Sequence, residues 1–154
     1  MDIRQKENLL IEIEELTRRT LRNYPSYFMS REDEITESIG DERDELINEI
    51  YFEYVSSETQ DLFGFLDSLI SEEDYNISDN VKQSLNEFKE GILNLRMEWN
   101  TYYYLDDLYE EYLSQLKNSI FNSNKVNTTL DVIKHYRANK SSMHRCDELL
   151  NSYK

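Results

Sequence analysis

The chain has 154 residues, of which 32 are acidic and 17 are lysine or arginine, and its formal net charge is −15 at pH 7. A chain of this length is expected to form one domain that buries enough surface to need neither a disulfide nor a metal. Aromatic residues make up 12% of the sequence, which excludes disorder of the whole chain because disordered sequences are poor in aromatics.

The first predicted element is a helix. The chain has only three glycines and one proline, too few turn residues for a many-stranded sheet. Leu9, Ile13 and Leu16 follow the spacing of one helical stripe. Pro25 disfavours helical geometry at the residue before it. We therefore predict that the first helix ends near Asn23.

A short helix is predicted next. Ser30 and Asp33 have the spacing of a variant capping box, which would open a helix that runs through Ile39. Gly40 is expected to end this helix. Asp41 is then expected to cap the following one.

Two longer helices follow in the predicted order. The buried residues of the first are expected to be Leu46, Ile47, Ile50, Tyr51, Tyr54 and Val55. Ser57 and Gln60 have the spacing of a second capping box. The helix that it opens carries Leu62, Phe63, Leu66, Leu69 and Ile70. A polar loop is predicted at residues 71–78.

The apolar stripe then runs from Val81 to Ile120. A single helix over residues 79–122 would be about 66 Å long, whereas a compact domain of this size has a radius of gyration of about 15 Å. We therefore predict a break between Asn100 and Asp106. A last helix is predicted from Thr128 or Thr129. The sequence thus predicts an all-α, single compact multi-helix domain over residues 1–154, with about six to seven helices.

The negative charge is concentrated in two stretches. Residues 31–75 contain sixteen acidic and two basic side chains, and residues 98–112 contain five acidic and no basic ones. Residues 113–154 reverse the sign, with seven basic and three acidic residues. A solvated surface that aids solubility is one interpretation. The other is a binding surface, because a localised field speeds encounter with a positive partner and repels nucleic acid and anionic lipid.

The stretch at residues 102–112 combines acids with tyrosines, which are enriched at binding hot spots. Carboxylates beside them could take arginine or lysine from a partner. The alternative is that half of these tyrosines lie in the core. The residues predicted to bind a partner are Tyr102, Tyr103, Asp106, Asp107, Tyr109, Glu110, Glu111, Tyr112, Asp41, Glu42, Glu45 and Glu49.

No motif predicts a catalytic, cofactor or metal site. The chain has no glycine-rich phosphate loop, no G-x-S-x-G elbow and no Glu-x-x-His pair for a di-metal bundle. His135, His144, Cys146 and Asp147 lack the second ligand cluster and the spacing of a zinc site. We therefore predict that the protein is not an enzyme and has no cofactor.

One pattern favours an alternative. Arg137 and His144, with six residues between them, resemble the R-x4–6-H motif of HEPN ribonuclease domains. The resemblance implies that Arg137 and His144 form the catalytic pair, with His144 as general acid or base. Ala138 departs from the polar residue that usually follows the arginine in that family.

Small size, concentrated acid and the tyrosine-rich acidic segment together resemble the small acidic immunity proteins of bacterial toxin systems, including contact-dependent growth inhibition. The resemblance is one of type and is not carried by a motif. It implies binding to a basic partner, a nuclease toxin domain, whose active site would be occluded. A phage-type DNA-mimic inhibitor and a helical adaptor remain alternatives.

Three further expectations concern the setting. A lone cysteine and a start without the apolar run of a signal peptide favour the cytoplasm. No direct binding to nucleic acid or membrane is expected. A homodimer remains open, because the basic C-terminal stretch could pair with the acidic region within one chain or between two.

Overall fold

A computed structural model describes residues 2–71, 75–98 and 101–121. These residues form α-helices without any strand, and the predicted all-α class is confirmed. The helices are α1 Ile3–Thr20, α2 Tyr24–Met29, α3 Glu32–Glu37, α4 Asp41–Glu58, α5 Gln60–Ser71, α6 Asp79–Leu93 and α7 Leu105–Phe121. Two 3₁₀ turns, Leu21–Asn23 and Thr101–Tyr104, join helices. The helix predicted from Thr128 or Thr129 lies outside the described residues.

The central element is α1. Residues 9–14 are all buried, although successive residues of a helix point about 100° apart. The middle of this helix is therefore enclosed on every side, and α5 and α7 pack against the helix. Its N-terminus carries a capping box between Asp2 and Gln5, with an Asp2 Oδ1 to Gln5 N distance of 2.8 Å. The sequence prediction overlooked this cap.

The helices α6 and α7 form an antiparallel pair. Ser84 near the start of α6 bonds through its hydroxyl to Ser119 near the end of α7. At the other end, a Cβ at Gly91 would lie 3.3 Å from the ring of Tyr112, so the two helices approach closely there. On the other side of the fold, α2 and α3 pack against α4.

Tyrosines connect α4 to the rest of the core. Tyr54 Oη donates to the Thr20 carbonyl at 2.6 Å, and Tyr51 Oη donates to the Ile92 carbonyl at 2.6 Å. Both side chains are buried. The predicted buried stripe of α4 is confirmed except at Leu46, which is half-buried. These hydrogen bonds explain how tyrosines can occupy the core, because a buried hydroxyl with a partner does not pay the cost of an unsatisfied polar group.

Three predicted helix boundaries are wrong. Ser30 does not cap α3, because its hydroxyl donates to the Tyr27 carbonyl at 3.1 Å. Gly40, with φ of +60°, directly precedes α4, and Asp41 is the first residue of α4 and not its cap. Ser57 lies inside α4, which continues to Glu58.

The predicted break in the long stripe occurs earlier in the chain than expected. α6 ends at Leu93, before the range of residues 100–106. Asn48 of α4 binds the chain four residues after this helix end. Its side chain donates to the Met97 carbonyl at 2.9 Å and accepts from the Met97 amide at 2.7 Å. These two bonds replace helical hydrogen bonds at Met97 and hold this part of the chain against α4.

Candidate acidic interaction surface

The outer side of α4 carries a row of carboxylates. Asp41, Glu45 and Glu49 follow one another at four-residue spacing, and Glu42 lies beside them. All four side chains are exposed, as the sequence predicts. We call these four residues the α4 acidic face. Acids in the first turn of α4 are favourable locally, because the N-terminal end of a helix carries partial positive charge.

The two arginines of the acidic segment are engaged elsewhere. Arg43 donates to the carbonyls of Ile35 and Thr36, at 2.9 and 3.1 Å, at the end of α3. Arg31 pairs with Glu34 at 2.9 Å and with Glu53 at 3.6 Å. Among the described residues, no ion pair within 4.0 Å involves a carboxylate of the α4 acidic face. Within the part of the chain that the structure describes, the charge of this face is therefore not neutralised by an ion pair, although Glu49 lies within electrostatic range of Arg31.

The sequence prediction missed an exposed aromatic residue beside this face. Phe52 is 65% exposed and lies three residues after Glu49 on α4. Its signal was present in the sequence, because Phe52 falls outside the apolar stripe formed by Ile47, Ile50 and Tyr51. A large apolar side chain off the buried stripe must point toward solvent or toward a partner.

The second predicted patch lies around the Thr101–Tyr104 turn and the start of α7. Tyr103 and Tyr104 are 56% and 60% exposed. Asp106, Asp107 and Glu111 are also exposed. We call these five residues the tyrosine patch. Four of them belong to the predicted set, and Tyr104 was missed although it stands in the same run of tyrosines.

Four other residues predicted for this patch have different positions. Tyr102 and Tyr109 are buried in the core and are removed from any docking surface. Tyr109 is buried because it lies in the apolar stripe of α7, with Leu105 and Leu113. Glu110 is half-exposed and pairs with Arg18 at 2.8 Å. Tyr112 is half-buried against Gly91.

A stack of rings connects the tyrosine patch to the core. The Phe28 and Tyr102 rings stack with centroids 4.9 Å apart, and the Tyr102 and Tyr103 centroids are 4.0 Å apart. Burial raises the pKa of Tyr102, with further contributions from Tyr103 and the Glu32 carboxylate, while Arg43 acts in the opposite direction. The turn therefore lies within electrostatic range of α3 and the start of α4. Two acidic stretches that are distant in sequence meet at this point of the fold.

A polar groove lies elsewhere, between α1, α6 and α7. It encloses about 390 Å³, and its lining includes Lys6, Ser84, Glu87 and Ser119. Lys6 Nζ donates to the Ile120 carbonyl at 3.3 Å, and the two serines bond to each other. The polar groups named here thus satisfy one another or face solvent.

Within the described ranges, no group of three or more His, Cys, Asp or Glu side chains is placed to hold a metal ion. None of the helices in this part of the chain is both long and apolar enough to cross a membrane. The HEPN-type pair, Arg137 and His144, lies outside the described residues, as do His135, Cys146 and Asp147.

Comparison with known proteins gave no relative: no family model, no curated protein and no solved structure matches this chain.

Proposed function

We propose that this protein is a non-catalytic inhibitor of the immunity type, which acts in the cytoplasm by binding a basic nuclease toxin domain and covering its active site. The observation that carries the proposal is the α4 acidic face. Its four carboxylates are exposed, and no described basic side chain forms an ion pair with them. A protein that needed these acids only for its own fold would be expected to pair them internally.

The physical basis is charge complementarity. A basic cleft that binds phosphates attracts a carboxylate surface over about 10 Å at moderate ionic strength, which raises the association rate. Carboxylates then replace the substrate's phosphates at the cationic side chains of the cleft. Direct binding of the inhibitor to nucleic acid is disfavoured for the same reason, because like charges repel.

The tyrosine patch supports a two-part surface. Tyr103 and Tyr104 offer large, rigid, amphipathic area at low conformational-entropy cost. Asp106 and Asp107 add charge beside them. In this proposal, the α4 acidic face steers the encounter and the tyrosine patch provides contact area at the rim of the interface.

The test uses a basic nuclease toxin domain, and we expect one to be encoded beside the gene for this chain. Its association rate with the purified chain should fall steeply as salt rises, and its nuclease activity should be lost in the complex. Glu45→Lys with Glu49→Lys should weaken binding by about tenfold or more, because two attractive contacts become repulsive.

The matched control is Glu87→Lys with Glu90→Lys on α6. Both of these residues are exposed, and the change in net charge is identical. If the two double variants weaken binding equally, only the total charge matters and the α4 acidic face is not the interface. Salt-independent binding would contradict the proposal itself.

A further inference from the structure

An apolar platform lies beside the α4 acidic face. Tyr51 bonds to the Ile92 carbonyl and Asn48 bonds to Met97, so residues 92–97 run alongside α4 in the opposite direction. Phe52 is one helical turn after Asn48 and therefore lies on the same side of α4. The segment and the helix therefore lie side by side, and we call the surface along them the strip.

The strip carries apolar side chains that are exposed to solvent, although burial of apolar surface is favourable. Phe52 is 65% exposed and Leu93 is 39% exposed, while Leu95 is half-buried at the edge of the core. We call Phe52, Leu93 and Leu95 the Phe52 platform. The carboxylates of Asp41, Glu45 and Glu49 border it along α4. The strip thus combines an apolar surface with an acidic rim.

We infer that the Phe52 platform docks an amphipathic basic helix of the partner, with apolar residues on the platform and lysine or arginine against the acidic rim. The inference rests on the proposed function and specifies the structure that the partner presents. It also assigns to Phe52 the role of the apolar anchor, since aromatic anchors next to desolvated charges dominate binding energy at interfaces.

The spacing along α4 favours a helix as the occupant. Asp41, Glu45 and Glu49 are separated by four residues, about 6 Å of rise each, and Phe52 lies about 16 Å from Asp41 along the axis. Cations at four-residue spacing on a second helix have the same repeat. Helices recognised in this way contribute apolar residues on one stripe and charged residues on its flank.

Charge decides against two other occupants. A second copy of this chain that docked through the same strip would bring two acidic rims together, and a nucleic acid would bring phosphates against carboxylates. Arg96 is exposed on the 92–97 segment and offsets only one of the acidic charges. A basic protein helix is the occupant that satisfies both the apolar and the acidic part of the strip.

The experiment measures binding of a fluorescent synthetic helix of about 18 residues, with leucine on one stripe and lysine on the other. Fluorescence anisotropy is recorded with the full chain and with its variants. Phe52→Ala should weaken binding by about tenfold. Because Phe52 is exposed, circular dichroism should show an unchanged fold for this variant.

Two controls make the result specific. Ile3→Ala truncates a similarly exposed apolar residue on α1 and should leave the affinity within about twofold of the unmodified chain. A peptide in which serine replaces leucine keeps all its charges, and it should bind the unmodified chain and Phe52→Ala equally weakly.

The inference is overturned if Phe52→Ala binds the leucine–lysine helix as tightly as the unmodified chain does, or if Ile3→Ala loses as much. If, in that case, Glu45→Lys with Glu49→Lys still weakens binding of the toxin domain by about tenfold or more, the proposed function stands without the platform. If that double variant also leaves toxin binding unchanged, both proposals fail.

Discussion

The hydroxyl groups of Tyr51 and Tyr109 lie 2.8 Å apart in the core and connect α4 to α7. Tyr51 gives its only proton to the Ile92 carbonyl at 2.6 Å. Tyr109 is therefore the donor in the tyrosine pair. Two hydrogen bonds thus join three helices: Tyr109 of α7 donates to Tyr51 of α4, and Tyr51 donates to the Ile92 carbonyl of α6.

This direction predicts unequal costs for two similar substitutions. Tyr51→Phe leaves the Ile92 carbonyl without its tyrosine donor and removes the acceptor of Tyr109, so we expect a loss of about 2 to 3 kcal/mol in unfolding free energy. Tyr109→Phe leaves the bond from Tyr51 to Ile92 intact and should cost about 1 kcal/mol. Urea denaturation of both variants measures the difference. Equal losses would contradict the assigned direction.

A second prediction concerns alkaline pH. Burial raises the pKa of Tyr51, Tyr54 and Tyr109 above the ordinary tyrosine value of about 10. The folded state therefore holds these protons where the unfolded state releases them. The contribution of these tyrosines to stability should be constant below about pH 10 and fall as the pH rises above it, by up to about 1.4 kcal/mol per pH unit for each tyrosine.

The measurement is urea denaturation across this pH range, with tyrosinate absorbance recorded in parallel. Absorbance from the buried tyrosines should appear together with the loss of helical circular dichroism. Tyrosinate that forms fully in a chain that is still helical would show that these hydroxyl groups are open to solvent.

The sequence predicted the fold class because helical periodicity is a local property. The stripe through Ile47, Ile50 and Tyr54 alone places the buried side of α4. The same rule predicts that Tyr109 is buried, because Tyr109 lies in the apolar stripe of α7. The neighbouring acidic residues led us to assign Tyr109 to the surface instead. Periodicity was the more reliable signal. Burial of the Tyr109 ring is favourable whether or not the neighbouring residues, which point in other directions, are acidic.

The meeting of the two acidic stretches was not predictable from the sequence. It depends on tertiary contacts, the stacking of Phe28 on Tyr102 and the bonds from Asn48 to Met97. The apolar surface near Phe52 was hidden for a similar reason. The segment that carries Leu93 and Leu95 lies alongside α4 because Asn48 binds Met97, four residues after the end of α6, and no local pattern specifies that bond.

The two helical glycines provide a third prediction. Gly64 has no atom within 4 Å of an added Cβ, so Gly64→Ala should stabilise the protein by about 0.5 to 1 kcal/mol through helix propensity. Gly91→Ala gains the same propensity, but its Cβ meets the Tyr112 ring at 3.3 Å. The gain should therefore be smaller or reversed. Thermal denaturation of the two variants compares them directly, and an equal gain would mean that Tyr112 moves freely.

The last prediction tests whether the α4 acidic face binds a partner or only keeps the protein soluble. Like charges on the α4 acidic face repel one another, so Glu45→Gln with Glu49→Gln should raise the unfolding free energy at low salt by a few tenths of a kcal/mol or more. Added salt screens the same repulsion, so it should stabilise the unmodified chain more than this variant. Under the proposed function, the variant should also bind the toxin domain more weakly, because it lacks two of the carboxylates that are proposed to attract the partner. A variant that is more stable and binds equally well would show that the charge serves solubility alone.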